Sequence, residues 1–277
     1  MGIKLFHAKD QNSNKIDANE YNENSHTSIS CCGEQCNAAL SFVKSHLVKY
    51  SDTTVNTKPF FKLQPKQKHK SSCPFHIKNQ ISSLANKTNR SHLIHLDGDQ
   101  YMFSLLSLEH PYEPKELVKL KHKIRQEQRE KKNRSFLSLL EKILLLRYNS
   151  INNKELLSTL LLDCHEKRVR WDKFYFDVKN YDTIIDLYAK KIDHTIALHG
   201  IVKSVEEGTI FLYGPYTDSD TQLIIKVEMS SDILNSDIAK SSEVIVYGKP
   251  TVDTSDEKHP VITFDLNFKE QLLLLDT

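Results

Sequence analysis

The chain has 277 residues, of which 38 are basic and 36 acidic, and 39% of them are hydrophobic. This balanced composition excludes a disordered or collagen-like chain, and no apolar run is long enough for a membrane-spanning helix. The first nine residues lack the apolar core of a secretory signal, and the five cysteines are an odd number. These features predict a cytoplasmic globular protein with reduced cysteines and no membrane contact, long enough for several domains.

The amino-terminal third is predicted to contain a polar segment, residues 1–27, followed by a compact module, residues 28–88. Within the module, alternating apolar residues at 59–63 predict a short strand, and the apolar spacing at 74–84 predicts a short helix. The mixed composition of residues 37–50 is compatible with either a strand or a helix. The module is therefore expected to combine short strands with one short helix.

Residues 89–194 are predicted to form a mostly helical middle domain. Asp97, Gly98 and Asp99 lie between two apolar, β-prone runs, which is typical of a β-hairpin. Further along the domain, the apolar spacing becomes that of amphipathic helices. The predicted helices cover residues 116–132, 135–147, 154–165 and 181–191.

The last segment, residues 195–277, changes to strand-like alternation. Its predicted strands cover residues 196–205, 209–213, 222–229, 243–248 and 261–268, with a short helix at 232–239. Three strands, a helix and two strands is the order of a small five-stranded barrel of the OB type. The alternative is a fragment of a β-sandwich or of a larger sheet. The whole chain is thus predicted to be a multi-domain α+β protein.

Four of the five cysteines lie between residues 31 and 73. Two ligand pairs, each with three residues between its members, have the spacing of a structural zinc site. The predicted Zn²⁺ ligands are Cys32, Cys36, His69 and Cys73, with Cys31 and His76 as the alternative ligands. Gly33 is expected to permit the tight turn within the first pair.

A set rich in thiolates favours a structural site over a catalytic one, because a catalytic zinc keeps an open position near a general acid or base. The other interpretation is that these thiols bind no metal and lie in a small core. The chain also lacks phosphate-binding glycine loops and the sequence motifs of zinc proteases and serine hydrolases. We therefore expect a protein that is not an enzyme.

Residues 59–74 contain an aromatic pair, a basic turn, then His69 and Cys73. This run resembles the second half of the zinc-ribbon-like module found in bacterial proteins similar to competence protein CoiA and in several defence-associated bacterial proteins. The resemblance is confined to this module and implies a nucleic-acid setting. In CoiA-like proteins a nuclease domain follows, but this chain has no acidic residue followed by Glu-x-Lys on a predicted buried strand. The resemblance therefore does not imply cleavage.

Charge is divided unevenly along the chain. Residues 196–277 carry six basic and 14 acidic residues, whereas the preceding 195 residues carry 32 basic and 22 acidic ones. Nucleic-acid contacts are therefore expected in the first two-thirds of the chain. The predicted contact residues lie next to the second ligand pair and in the basic run at 115–134; they are Lys62, Lys66, Lys68, Lys70, Lys121, Lys123, Arg125, Arg129, Lys131 and Lys132.

Aromatic residues near these lysines have two interpretations. Phe60 and Phe61 either stack on exposed bases or belong to the core, and the basic run at 115–134 is either a nucleic-acid surface or a solvated helix face. In the acidic segment, the net negative charge favours a protein partner over nucleic acid. The predicted partner-binding residues there are Phe211, Tyr213, Tyr216 and Tyr247.

These observations lead to three functional hypotheses. The first is a non-catalytic, zinc-containing nucleic-acid-binding adaptor in bacterial DNA processing or defence against foreign DNA. The second is a protein-assembly subunit of a larger complex in which zinc only stabilises the fold. The third is a cryptic nuclease.

Overall fold

The computed structural model describes residues 3–25, 28–87, 93–105, 119–150, 154–164, 167–189, 194–216, 222–229 and 237–275. Within them the protein is mixed α/β, with 18 strands and four α-helices. None of the helices in the described part of the chain is long and apolar enough to cross a membrane. The chain divides into two units, the first built from Met1–Val48, Asn56–Ser104 and Lys142–Asp163, the second from Lys49–Val55, Leu105–Glu141 and Cys164–Thr277. The predicted segments 1–27, 28–88, 89–194 and 195–277 stay a prediction.

The amino-terminal part of the chain contains short strands and one helix. They are β1 (His7–Lys9), β2 (Lys15–Asp17), β3 (Leu40–Val43), β4 (Leu47–Lys49), β5 (Thr54–Asn56), β6 (Phe60–Leu63) and α1 (Ile77–Lys87). β1 pairs antiparallel with β2, and β3 pairs antiparallel with β6. The predicted strand at 59–63 and helix at 74–84 are thus confirmed apart from their ends, and the segment at 37–50 forms strands.

Phe61 on β6 anchors the core of this part of the chain. Its side chain is completely buried, and its backbone exchanges hydrogen bonds with Leu5. Its ring meets Tyr21 edge-on at 5.4 Å and Phe42 at 5.7 Å between ring centroids. Phe61 is therefore a core residue, whereas the neighbouring Phe60 is half-buried and has the Lys4 ammonium 5.5 Å from its ring centroid.

The middle of the chain contains strands as well as helices: β7 (Ile94–Asp97), β8 (Gln100–Ser104), α2 (Lys119–Asn149), α3 (Lys154–Thr159) and β9 (Leu160–Cys164). The predicted hairpin is confirmed as β7 and β8, with Gly98 in the left-handed region at φ 59°. The predicted helix at 154–165 is wrong in its second half, because residues from Leu160 pair parallel with β8. A short leucine run suits a buried strand as well as a helix, and pairing decides between them.

Helix α2 replaces the two helices predicted at 116–132 and 135–147, although residues 116–118 of the first lie outside the described residues. The residues between them, Asn133 and Arg134, are neither glycine nor proline and do not interrupt the backbone hydrogen bonds. Asn133 is itself buried, and the apolar face continues beyond it. The buried apolar residues of this second half are Phe136, Leu137, Leu139, Leu140, Ile143 and Leu144. A single long helix therefore begins in a basic sequence and ends in an apolar one.

The carboxy-terminal part of the chain is mostly sheet. Its elements are β10 (Lys167–Val169), β11 (Tyr175–Phe176), α4 (Asp182–Ala189), β12 (Ile196–Glu206), β13 (Thr209–Leu212), β14 (Ile224–Met229), β15 (Glu243–Gly248), β16 (Pro250–Asp253), β17 (Val261–Leu266) and β18 (Leu272–Leu275). The five predicted strands are confirmed apart from their ends, while β16 and β18 are additional. The helix predicted at 232–239 lies largely outside the described residues.

The strand order of this sheet is β16-β17-β14-β13-β12-β15-β18, and β11 also pairs with β12. β14 and β17 are parallel, and β12 pairs with β13 through one half and with β15 through the other. Apolar side chains at alternate positions of these strands, which share one face of the sheet, meet in one core that includes Phe176, Tyr181 and Phe264. No closed barrel is found among the strands that the structure describes.

Candidate metal centre

Four side chains that can bind a metal converge in the first unit. They are Cys31, Cys36, His69 and Cys73, and their ligand atoms all lie within 4.8 Å of one another. The three cysteines are buried and none of them forms a disulfide, while Leu63 and Phe75 pack against the cluster. The arrangement is thus a buried set of three sulfur atoms and one nitrogen atom, which can bind a metal ion.

The first pair of residues in the cluster is Cys31 and Cys36, not Cys32 and Cys36. Ser30 forms a β-bridge with Ala39, so the chain enters the pair in an extended conformation in which adjacent side chains point to opposite sides. Cys31 points into the cluster, whereas the Cys32 thiol lies 3.6 Å from the backbone oxygen of His7. The prediction of Cys32 as a ligand is therefore wrong, and the alternative Cys31 takes its place.

The sequence contains a signal that identifies Cys31, and not Cys32, as the cysteine of the cluster. The signal is Gly33, two residues after Cys31. The backbone N–H of Gly33 donates a hydrogen bond to the Cys31 sulfur at 3.3 Å. Cys36 and Cys73 accept the same kind of bond from Ala38 and Phe75, each two residues further on. Bonds of this kind stabilise a thiolate and orient it toward a metal. Glycine at this position leaves room for the Cys73 sulfur, which would lie 2.6 Å from a β-carbon there, and this favours Cys31.

The second pair is His69 and Cys73, as predicted. The Nδ1 atom of His69 lies 3.6 Å from the Cys36 sulfur and 3.6 Å from the Cys73 sulfur. The sulfurs of Cys31 and Cys73 are 3.7 Å apart. His76, the alternative ligand, is outside the cluster and has Nε2 at 3.4 Å from the Glu155 carboxylate. The imidazole of His69 therefore presents Nδ1 to the site.

These distances agree with a tetrahedral ion. With bonds of about 2.3 Å to sulfur and about 2.0–2.1 Å to nitrogen, tetrahedral zinc separates two sulfurs by about 3.8 Å and a sulfur from a nitrogen by about 3.6 Å. The observed separations of 3.7 Å and 3.6 Å match both values. A disulfide would instead require sulfurs about 2.0 Å apart. Three of the separations therefore match a tetrahedral ion, and all four ligand atoms lie within 4.8 Å of one another.

The electrostatics of the site show which protons a metal must displace. Burial raises the pKa of the Cys31 and Cys73 thiols, so both are protonated without a cation. Burial also acts to raise the pKa of Cys36, but backbone N–H bonds from Ala38 and Lys70 outweigh it and lower that pKa. Burial, with a smaller effect from His76, lowers the pKa of His69 and keeps its imidazole neutral. A divalent cation would displace the thiol protons.

Gly33 matters because of space rather than because of a special backbone conformation. It is not among the residues with positive φ, a conformation that Gln35 adopts instead. A β-carbon at Gly33 would lie 2.6 Å from the Cys73 sulfur, 3.3 Å from Pro74 and 3.5 Å from the Cys31 sulfur. The prediction of a turn-permitting glycine thus names the right residue for a different physical reason.

We expect Gly33→Ala to weaken metal binding by displacing a ligand. The added methyl group overlaps the Cys73 sulfur, which cannot move without leaving the tetrahedral arrangement. The metal affinity, measured by competition with a chromogenic chelator, should fall at least about tenfold, the range seen when groups that support a ligand are lost. Glu34→Ala, at an exposed neighbour, is the matched control and should bind metal normally. Normal affinity of the glycine variant would contradict this packing.

The predicted nucleic-acid residues are divided between the two units. Lys66, Lys68 and Lys70 are exposed around the second ligand pair, and Lys62 is half-buried on β6. On α2, which belongs to the second unit as far as Glu141, the exposed members are Arg129, Lys131 and Lys132. Lys121, Lys123 and Arg125 lie on the same helix, but their side chains are outside the described residues.

The four aromatic residues predicted to bind a partner differ in exposure. Tyr213 and Tyr247 are only 4% and 1% exposed, so the prediction that their rings form a binding surface is wrong. Tyr213 lies 6.1 Å from Tyr50 between ring centroids, and Tyr247 packs against Phe136 and Phe174. Tyr216 is 53% exposed and Phe211 is half-buried. Alternation along a strand does not predict which of these rings are exposed, because other segments of the chain cover Tyr213 and Tyr247.

No protein-family model matches the chain, and no curated protein matches it either.

Proposed function

We propose that the protein is a non-catalytic nucleic-acid-binding adaptor whose first unit is stabilised by a structural Zn²⁺ ion. The observation that carries the proposal is the buried cluster of three cysteines and His69, whose second ligand loop holds exposed lysines. The bacterial setting, in DNA processing or defence, rests on the resemblance of residues 59–74 to CoiA-like modules. A cytoplasmic location agrees with a site built from reduced thiols.

Zinc is the favoured ion because of the donor set. Three thiolates and an imidazole at tetrahedral separations are typical of structural zinc, while harder ions prefer oxygen ligands. All four coordination positions are supplied by the chain, so no position is left for a substrate or a reactive water. When bound, the ion supplies folding energy and fixes the two ligand loops.

The lysines of the second ligand loop give this centre a function beyond stability. Lys68 and Lys70 flank the ligand His69, and the backbone N–H of Lys70 bonds to the Cys36 sulfur. Lys66 precedes them in a left-handed turn at φ 66°. Binding of the metal therefore fixes the backbone that presents three exposed ammonium groups, which suits contact with successive phosphates.

We also propose that the carboxy-terminal sheet is an OB-like barrel. Lys249 alone separates β15 from β16, so both behave as halves of one strand, paired with β12 and with β17 respectively. In the strand order, β16 stands at one end and β15 is next to last at the other, so a continuous β15–β16 strand would close the sheet. The parallel pairing of β14 with β17 agrees with an OB arrangement.

Charge on this sheet favours a basic protein partner over nucleic acid. Glu206, Glu228 and Asp265 are exposed and lie in one cross-strand row, connected through Thr209. Like charges on neighbouring strands repel one another, and a basic partner would relieve that repulsion. This row is the specific observation that favours the second candidate function, a protein-assembly subunit in which zinc is purely structural.

The two functions are separated by reversing the charge of the lysine loop. We expect the triple variant Lys66→Glu, Lys68→Glu and Lys70→Glu to bind short DNA and RNA about 10–100-fold more weakly at low salt. The slope of log affinity against log salt should also become smaller by about 2–3, since each phosphate contact contributes about 0.7–0.9. Fluorescence anisotropy of zinc-loaded protein across a salt series measures both quantities.

The matched control is the triple variant Lys240→Glu, Lys249→Glu and Lys258→Glu, which makes the same change of charge at exposed positions of the second unit. It should leave most of the affinity intact. Equal losses in both variants would indicate a non-specific charge effect and contradict the lysine loop as the binding surface. Absence of binding by the natural protein at low salt would favour the assembly subunit. Metal-dependent degradation of the oligonucleotide would instead indicate the cryptic nuclease.

A further inference from the structure

Two imidazole nitrogens near the metal centre are buried without a hydrogen-bond partner. They are Nε2 of His69 and Nδ1 of His76. The two residues flank the ligand Cys73, and the backbone N–H of His76 donates to the backbone oxygen of Cys73 at 3.0 Å. The side chain of His76 is only 18% exposed. A buried polar group without a partner is unfavourable, so each of these atoms requires an explanation.

The protonation of the two rings makes these atoms complementary. His69 presents Nδ1 to the sulfurs, at 3.6 Å from two of them, so binding of a metal through Nδ1 leaves the proton on Nε2. His76 places Nε2 at 3.4 Å from Oε1 of Glu155, which favours a proton on that nitrogen and leaves Nδ1 as an acceptor. One unpartnered atom is thus a donor and the other an acceptor.

The backbone turn between the two residues holds them near each other, since the N–H of Cys73 bonds to the oxygen of Lys70 at 2.9 Å and the N–H of His76 bonds to the oxygen of Cys73. Gln80 follows His76 by one helical turn, and its side-chain oxygen Oε1 is a third buried acceptor without a partner. A buried water molecule in proteins makes about three hydrogen bonds, which this donor and these two acceptors would supply.

We propose that His76, held by Glu155, accepts a hydrogen bond from Nε2–H of His69 through one water molecule that Gln80 also binds, and so positions His69 for the metal. The proposal rests on the metal centre proposed above and assigns His76 as a positioning residue. Metal-binding histidines usually donate their second N–H to such a partner, which fixes the ring and its tautomer. Here the partner, His76, is itself held by the Glu155 carboxylate on α3. Helix α3 therefore contributes to the metal site.

The test compares variants of the full-length protein loaded with Zn²⁺ or Co²⁺. We expect His76→Ala to bind zinc about 10–100-fold more weakly in a chelator competition, the loss usual for such partners. His76→Asn places an amide oxygen near the position of Nδ1 and should recover a large part of that affinity. In both variants the Co²⁺ absorption spectrum should retain the bands of three thiolates and one nitrogen, because all four ligands are unchanged.

A spectroscopic measurement separates positioning from a general loss of stability. We expect the Nε2–H proton of His69 to exchange slowly with solvent in the natural protein and much faster in His76→Ala, as observed by ¹⁵N NMR of the imidazole. Glu155→Ala, at a side chain that is 43% exposed, should give an intermediate exchange rate even if His76→Ala fails to fold. His95→Ala, at an exposed histidine on β7, is the control and should change nothing.

Two results would overturn the proposal. One is an unchanged zinc affinity of His76→Ala together with unchanged exchange of the His69 Nε2–H proton, which would leave the metal centre intact but remove His76 from it. The other is a natural protein that binds no metal at all, which would remove the metal centre itself. The two failures are therefore distinguishable by the zinc content of the natural protein.

Discussion

Cys31→Ser is expected to release the metal and unfold the first unit, whereas Cys32→Ser should retain one Zn²⁺ per chain. The two cysteines are adjacent, but only the Cys31 sulfur lies in the cluster, at 3.7 Å from the Cys73 sulfur. Structural zinc contributes about 10–16 kcal/mol of apparent binding free energy in small zinc modules, which is available for folding only if the ligands are complete. The metal content, measured by mass spectrometry, and thermal unfolding check this prediction.

Because the two variants have the same composition, each is the matched control of the other. Cys73→Ser, which removes a sulfur from the second pair, should behave as Cys31→Ser does. Loss of zinc from Cys32→Ser together with full zinc content in Cys31→Ser would reverse the assignment and support the ligand set predicted from spacing. Full zinc content in all three variants would exclude the site.

The second large effect is expected from Phe61→Ala, which should lower the free energy of unfolding of the first unit by about 3–5 kcal/mol. The side chain is completely buried between Tyr21 and Phe42, and its removal leaves a cavity against two aromatic rings. The denaturant concentration at which half of the zinc is released, measured with a chromogenic chelator, should fall accordingly. Nucleic-acid affinity under native conditions should change little, because the ring is not accessible.

Leu47→Ala is the control for this prediction, since Leu47 is the same kind of apolar residue in the same unit but is 68% exposed. Its effect should stay within about 0.5 kcal/mol. If Phe61→Ala instead kept the natural midpoint of zinc release and lost affinity for nucleic acid, the ring would be a stacking surface. That result would support the other interpretation that the sequence leaves open for Phe61.

The metal site illustrates how far spacing alone can lead. Two close pairs of ligands indicate a tetrahedral ion, and three of the four converging residues are those predicted from spacing. Both Cys31 and Cys32 satisfy the accepted spacing to Cys36, so the choice depends on which way each side chain points. The bridge between Ser30 and Ala39 decides it, because it sets the alternation of the extended chain.

In the secondary structure, too, some elements follow from local sequence patterns and others depend on pairing between distant segments. Five strands of the last third were predictable because alternating apolar residues are a local pattern that a half-buried strand requires. Residues 160–164 were not, because a leucine run satisfies both a helix and a buried strand. Their parallel pairing with β8, which lies about 60 residues earlier in the chain, determines the strand.

By itself, the sequence determined that candidate ligands occur in two close pairs, that five strands occupy the last third, and that basic and acidic segments are separate, since spacing, periodicity and charge are properties of neighbouring residues. Only the tertiary structure decided that Cys31 replaces Cys32, that Tyr213 and Tyr247 are buried, and that His76 lies beside the metal centre with Glu155. These features depend on contacts between segments far apart in the chain, and burial and pairing there override local preferences.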